Sequence, residues 1–223
     1  EIRDKIDKSL EKNTSNKYFF GKDFNIAKSE NGFIQYQDGL GELVLPEPSI
    51  LGDHQLYNIS TSIAASRKIF NIKDEYIRNG IKNISLKARL EEIKSGKLKD
   101  IAGNNKLVVD GGHNISASLS IANWVKNQNE EANLIVGMMK DKEHVEFIKA
   151  FENIVNSITL IDIPNQDGAI SKEDFKKKLD NSKLNLKLSN GIEESIKSLS
   201  KNENTIILCV GSLYLAGEIL SLN

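Results

Sequence analysis

Lys106-Leu107-Val108-Val109-Asp110-Gly111-Gly112-His113-Asn114-Ile115 is the stretch that decides the fold. A short apolar run ends in an acid, two glycines and an Asn; Ile115, Leu119, Ala122 and Val125 then follow at helical spacing. A buried strand passes into a helix in this way: a run of strand length, a turn of residues without side chains, and an Asn able to cap the helix. The change of period repeats downstream. Apolar runs at 134–138, 158–163, 184–188 and 205–210 alternate with helical patterns at Val145, Ile148 and Phe151, at Phe175 and Leu179, and at Ile192, Ile196 and Leu199. A last amphipathic segment covers 212–220. Strand and helix alternating over short connections predict an α/β fold, a Rossmann-like, mostly parallel sheet with flanking helices and right-handed crossovers.

Upstream the texture differs. Tyr18-Phe19-Phe20, Gly32-Phe33-Ile34-Gln35-Tyr36 and Leu43-Val44-Leu45 read as short antiparallel strands separated by Gly, Asn and Asp. Pro46 and Pro48 force an extended connector. Leu56, Ile59, Ile63 and Phe70 then predict a helix that Asp53 can cap, and Ile77 with Ile81 a second one from Asp74. These textures divide the chain into a first domain, 1–88, and a second, 89–223.

The composition narrows the function classes. Thirty basic residues against 31 acidic ones leave a net charge of −1, which excludes a broad electrostatic surface for nucleic acid or anionic membrane. With 39% hydrophobic and 27% charged residues, the 223-residue chain has the makings of a globular core. The aliphatic run 206–210 is far too short to span a bilayer. A single cysteine, Cys209, excludes an internal disulfide and a thiolate zinc cluster. The start Glu1-Ile2-Arg3 carries no charged-then-apolar leader, so a cytoplasmic setting is expected, and no initiator Met, so the chain is expected to be processed or a piece of something longer.

In open parallel sheets ligands bind beyond the carboxyl ends of the strands. One such end is Asp110-Gly111-Gly112-His113, where a carboxylate can accept two ribose hydroxyls and an imidazole can donate to a phosphate or acyl oxygen; a turn whose Asp merely caps the helix is the alternative. The other is Gly211-Ser212, which offers backbone N–H groups and a hydroxyl to a carboxylate, or is an ordinary Ser cap. Asn58, a turn after His54-Gln55, can offer donor and acceptor to a purine edge or form part of a solvated helix face. His144, amid Asp141, Lys142, Glu143 and Glu146, reads as solvated; Cys209 reads as an inert core thiol, and Trp124 and Tyr214 as packing residues. The three histidines are not at metal-ligand spacing, so no metal site is expected on this chain. Gly21-Lys22 and Gly96-Lys97 run into Asp23 and Leu98, so the sequence carries no phosphate-cradling P-loop.

Together these residues resemble folylpolyglutamate synthase/dihydrofolate synthase of the Mur ligase superfamily. The matching pieces, in family order, are Phe20-Gly21-Lys22-Asp23-Phe24, Leu51-Gly52-Asp53-His54-Gln55 with Asn58, Ala88-Arg89-Leu90-Glu91, Asp110-Gly111-Gly112-His113-Asn114, Asp141-Lys142 and Gly211-Ser212-Leu213-Tyr214-Leu215-Ala216-Gly217-Glu218. Leu86 and Ala88 stand where the family pattern has Trp and Gly, and Gly112 where it has Ala. The resemblance covers the family's C-terminal half only, which implies the tail of a central ATP-binding domain followed by a glutamate-binding domain. It implies ATP-dependent amide formation, in which a folate or dihydropteroate carboxylate becomes an acyl phosphate that L-glutamate attacks. On that basis His54 and Asn58 lie at the adenine end, Arg89 on the ATP phosphates, Asp110 on the ribose, His113 near the acyl phosphate and incoming glutamate, and Ser212 on the glutamate carboxylate. ATP and Mg2+ are the implied cofactors, with the metal ligands mainly in the N-terminal half. The implied partners are the small-molecule substrates and an N-terminal fragment carrying the P-loop. This chain alone is then expected to be inactive. A non-catalytic Rossmann-like binding module, or part of another Mur-type ligase such as a peptidoglycan enzyme, is the alternative.

Overall fold

The computed structural model describes residues 2–10, 16–29, 31–50, 53–179 and 184–223. The chain divides into two compact units, Glu1–Pro48 with Leu56–Asn83, and Ser49–Gln55 with Ile84–Asn223.

The first unit opens with α1 (Ile2–Leu10) and an antiparallel meander, β1 (Phe24–Lys28), β2 (Ile34–Asp38) and β3 (Gly41–Leu45), followed by α2 (Asp53–Phe70) and α3 (Asp74–Lys82). Strand alternation puts Ile34, Tyr36, Leu43 and Leu45 inside. Ile59, Ile63, Ile77 and Ile81 are buried on the two helices. The run Tyr18-Phe19-Phe20 forms no strand. It enters a turn in which the Asp23 carboxylate accepts the Phe19 N–H at 2.7 Å, and pairing starts only at Phe24. A buried polar group closes the end of the meander. Arg67 lies 3.4 Å from Asp38, and the Tyr36 hydroxyl donates to the same carboxylate at 3.1 Å. Burial, reinforced by the Asp38 charge, pushes the Tyr36 phenol above its ordinary range.

The second unit runs β4 (Glu91–Ile93), α4 (Lys97–Ala102), β5 (Lys106–Val109), α5 (Ile115–Lys126), β6 (Ala132–Val136), α6 (His144–Lys149), β7 (Ser157–Leu160), α7 (Lys172–Lys178), β8 (Leu186–Leu188), α8 (Ile192–Leu199), β9 (Ile206–Val210) and α9 (Leu213–Leu222). Its six strands lie in the order β4-β5-β9-β6-β7-β8, parallel except for β4, which pairs antiparallel with β5. Helices cover both faces. Leu107, Val109, Ile207 and Cys209 face a core with α4, α8 and α9, while Val108, Leu208 and Val210 face one with α5, α6 and α7. The expected α/β architecture with a mostly parallel sheet is present. The polar stretch 94–105 hides α4, whose Leu98 and Ala102 are fully buried.

Strand order brings two strand ends together. The α5 crossover from β5 to β6 leaves a gap of one strand, which β9 fills last. Since α5 and α9 pack on opposite faces, the chain leaves neighbouring β5 and β9 in opposite directions. A crevice opens where parallel strands diverge in this way.

Candidate functional site

Asp110 extends β5, its N–H donating to the Cys209 carbonyl at 2.9 Å. Beyond it the chain turns through Gly111 and Gly112. A Cβ at Gly111 would meet the end of the Leu213 side chain at 2.3 Å and displace it, and one at Gly112 would meet the Ala117 Cβ and the Asp110 carboxylate at 2.8 Å, so the turn is most tightly packed at Gly112. Asn114 caps α5, its side-chain oxygen accepting the Ala117 N–H at 2.9 Å. His113 is half-buried, with Nδ1 2.9 Å from the Gly111 carbonyl. A carbonyl only accepts, so Nδ1 carries the proton and ligand chemistry falls to Nε2.

The second strand end lies directly against the first. The Gly211 N–H donates to the Gly112 carbonyl at 3.0 Å. Ser212 is buried, and its hydroxyl accepts the Tyr214 N–H at 3.1 Å as the cap of α9. The loop after β6 joins them, the Gly137 N–H reaching the Val210 carbonyl. It continues into Asp141-Lys142, where the Lys142 ammonium, 2.9 Å away, holds the exposed Asp141 carboxyl below its usual range and the charge of His113 adds in the same direction.

Arg89 completes the cluster. Its guanidinium lies beside Gly111, 3.2 Å from where a Cβ there would sit, and donates to the Ala88 carbonyl at 3.1 Å. Ala88 and Leu90, the residues flanking it, are left-handed at φ 54 and 47, a conformation that L-residues avoid. They are held because Ala88 is buried in one face's core and Leu90 in the other's. The Asp110 carboxylate spans the arrangement, one oxygen accepting the Leu90 N–H at 2.8 Å and the other the Gly112 N–H at 2.7 Å. A cleft of about 400 Å³ opens beside Arg89, walled by Ser49, Leu86, Glu91 and Lys94.

The structure thus brings Arg89, Asp110, His113 and Ser212 to one sheet edge. Asn58 is exposed on α2 in the first unit, and the His54 side chain lies outside the described residues. Among the described residues no group of His, Cys, Asp and Glu could hold a metal ion, so the residues present do not form a Mg2+ site. Two readings are corrected. His144 is buried rather than solvated: Nε2 lies 3.0 Å from the Met139 carbonyl, Nδ1 is 3.3 Å from the Lys178 ammonium, and the ring meets Phe175 edge-on. Burial and the Lys178 charge hold it below its ordinary pKa, and therefore neutral. Tyr214 is exposed on α9 rather than packed. Cys209 is a core thiol, pushed up to about 12 by burial. Sequence reasoning assigned no role to Asp141-Lys142; its place in a family motif was the available signal. Nor did it find the brace from Asp110 to Leu90, which joins residues 20 apart.

The model of the dihydrofolate synthetase C-terminal domain matches residues 94–222, more than half of the chain. The chain belongs to this family. A probable dihydrofolate synthetase of Schizosaccharomyces pombe is 22% identical over 219 residues, covering 88% of this chain and 50% of that protein. Among solved structures, the bifunctional folylpolyglutamate synthase/dihydrofolate synthase of Yersinia pestis complexed with AMPPNP and Mn ion is similar at a TM-score of 0.81 and 18% identity, covering 98% of this chain and 50% of that one. The Mycobacterium tuberculosis folylpolyglutamate synthase complexed with ADP and AMPPCP is similar at 0.77 and 18%, covering 91% and 48%. The chain therefore spans about half the length of the relatives it matches. No helix among the described residues is long and apolar enough to cross a membrane.

Proposed function

We propose that this chain is the C-terminal, glutamate-binding portion of a cytoplasmic ATP-dependent ligase that adds L-glutamate to a folate or dihydropteroate carboxylate. The observation that carries the reading is the bond between Gly211 and Gly112, which joins the two strand ends into one cluster with Arg89 beside it. Residues 1–88 are then the tail of the ATP-binding domain and 89–223 the glutamate domain. In this reaction the carboxylate is phosphorylated by ATP, and the glutamate amine displaces phosphate from the acyl phosphate to form the amide. The fixed charge and planar fork of Arg89 suit the phosphates. His113, with a proton fixed on Nδ1, stands near the acyl phosphate with Nε2 able to accept from the incoming amine. The Ser212 hydroxyl, which uses an acceptor site in capping α9, keeps its O–H for the glutamate carboxylate. His54 and Asn58 belong to the adenine end.

The P-loop and metal ligands come from the half of the relatives' length that this chain does not span. Phosphoryl transfer needs such groups to stabilise its dispersed charge, so this chain alone should not turn over. The test is to combine it with a P-loop-bearing N-terminal half and follow ATP- and glutamate-dependent product formation. Turnover should appear only in the combination. Arg89→Ala should lower it on the order of a hundredfold or more, and Arg89→Lys should restore only part. Activity of the isolated chain, or indifference to both substitutions, would sink the reading.

A further inference from the structure

We propose that Asn190 is a site of spontaneous backbone modification: the fold leaves the Gly191 amide free to close on the Asn190 side chain and sets the Lys172 ammonium on the carbonyl that is attacked. The inference stands apart from the ligase reading, and no part of its test depends on that activity.

The chain has three Asn-Gly pairs, Asn31-Gly32, Asn79-Gly80 and Asn190-Gly191. A glycine after Asn is the least crowded nucleophile a chain can place there, since no Cβ hinders its nitrogen as it approaches the carboxamide. In the unfolded chain the three pairs are chemically alike, and the fold separates them. Gly80 lies inside α3 past the first turn, so its N–H is bonded within the helix. The Gly32 N–H donates to the Ser29 carbonyl at 3.1 Å across a turn. Gly191 is the N-cap of α8, and its N–H meets no acceptor among the described residues. In a capping box the carboxylate three residues on would take that N–H. Here Glu194 accepts the Asn190 N–H instead, at 3.0 Å. The Gly191 carbonyl is held by the Ser195 N–H and hydroxyl, so the peptide is fixed while its nitrogen stays available.

Asn190 itself is exposed, and its Oδ1 accepts from the Lys172 ammonium at 2.7 Å. The Lys172 side chain is only 12% exposed; its backbone N–H donates to Asp162 at 2.8 Å and its ammonium lies 3.6 Å from the same carboxylate. A cation fixed on Oδ1 draws electrons from Cγ and stabilises the oxyanion that forms there on attack. Hydroxide takes the Gly191 amide proton, the nitrogen bonds to Cγ, and the electron pair of the carbonyl moves onto Oδ1. That pair returns as the Cγ–Nδ2 bond breaks, and Nδ2 leaves as ammonia with a proton from water, which regenerates hydroxide. Water then opens the cyclic imide at either carbonyl, giving an aspartate or an isoaspartate whose backbone is longer by a carbon. The lengthened backbone enters α8, whose Ile192, Ile196 and Leu199 are buried in the core, so the modification bears on the packing of the second unit.

The folded chain is held at mildly alkaline pH, and the replacement of amide by acid in each Asn-Gly peptide is followed by mass spectrometry. Asn190 should convert first, with Asn31 and Asn79 lagging on the order of tenfold, the factor that the net worth of one hydrogen bond supports. In urea the three rates should converge. Lys172→Met should slow Asn190 in the folded chain on the order of tenfold, less than the loss of a donor costs in a fully buried site. Loosening of the turn alone would speed the reaction, so the direction separates chemistry from packing. In Gly191→Ala conversion should fall well below the parent's. With φ 172 and nothing within 4 Å of the missing Cβ, the fold accepts that methyl while it crowds the attacking nitrogen. Conversion of Asn190 no faster than that of Asn31 or Asn79, or the same ordering in urea as in the folded chain, would overturn the proposal. So would Lys172→Met or Gly191→Ala converting as fast as the parent. Should Lys172→Met not fold, the urea comparison and Gly191→Ala carry the decision.

Discussion

Gly211→Ala offers the sharpest test of how the two strand ends are joined. Gly211 has φ +107, and a Cβ on it would lie 2.8 Å from the Gly137 carbonyl oxygen, 2.8 Å from the Met138 side chain and 3.1 Å from Val136. The oxygen belongs to the backbone of the neighbouring loop and cannot rotate away. An alanine held at this φ costs about 1–3 kcal/mol in backbone strain. Overpacking against fixed neighbours adds about 1–3 kcal/mol, and the stiffer unfolded chain returns about 0.4–1 kcal/mol. The expected net loss is about 1–6 kcal/mol, centred near 3, a large share of the ~5–15 kcal/mol of an ordinary domain. Gly217→Ala is the control. Gly217 is exposed on α9 with nothing within 4 Å of its missing Cβ, so the same substitution should stabilise by about 0.5–1 kcal/mol. Trp124, the single tryptophan, packs against the core beneath α5 and reports unfolding of the second unit in urea. The two variants should move the midpoint in opposite directions. A loss below about 1 kcal/mol at Gly211, with Gly217 behaving as expected, would mean that the close approach of these loops is wrong.

Three further outcomes are expected. Asn114→Ala should cost about 1 kcal/mol through loss of the α5 cap, while Asn114→Asp should hold stability; equal urea midpoints for all three forms would contradict the cap. His144 is depressed below 6.5 by burial and Lys178, with only Asp141 and the Met139 carbonyl opposing, so the unfolded chain binds more protons than the folded one as pH falls below 6.5. Its contribution is complete above 6.5 and is lost as pH falls through the folded value, at no more than about 1.4 kcal/mol per pH unit; His144→Gln should flatten the stability profile between pH 6.5 and 5.5, and parallel profiles would refute this. Cys209, buried and pushed up to about 12, should resist a disulfide reagent at pH 8 until urea unfolds the chain; rapid stoichiometric labelling of the native chain would contradict its burial.

How much of the fold was legible depended on where the deciding partners lie. The central strands could be read because a strand covered on both faces is a continuous apolar run, and every residue of β9 is buried. By contrast, β4 is three residues, Glu91-Glu92-Ile93, paired on one side only, and has too few positions to show a period. The six-residue α4 lies between Gly96 and Gly103 in polar surroundings, with Leu98 and Ala102 buried and Ile101 packed beside them as the few apolar marks of its inner side. The charges around His144 predict exposure. What buries it is α7, whose Lys178 and Phe175 come from more than 30 residues downstream. No local window contains that information.

The candidate site was legible as residues but not as a place. Asp110 and Ser212 each read as a local cap or as a ligand, and their local patterns do not separate the two. Ser212 caps α9 with an acceptor site of its hydroxyl and keeps a donor, while the Asp110 carboxylate accepts the Leu90 and Gly112 N–H groups. What turns these local devices into one cluster is the late insertion of β9 between β5 and β6. Alternation of strands and helices predicts that all the carboxyl ends point the same way; it does not predict which two are neighbours. Had β9 added instead to the outer edge beyond β8, every motif would be unchanged and Ser212 would stand several strands from His113. The family pattern supplied that adjacency because it compares whole chains. The structure supplies the complementary fact that a Cβ at Gly211 would lie 2.8 Å from the Gly137 carbonyl oxygen, a backbone atom that cannot rotate away, so the close approach of the two strand ends in the Gly211–Gly112 hydrogen bond suits a glycine there.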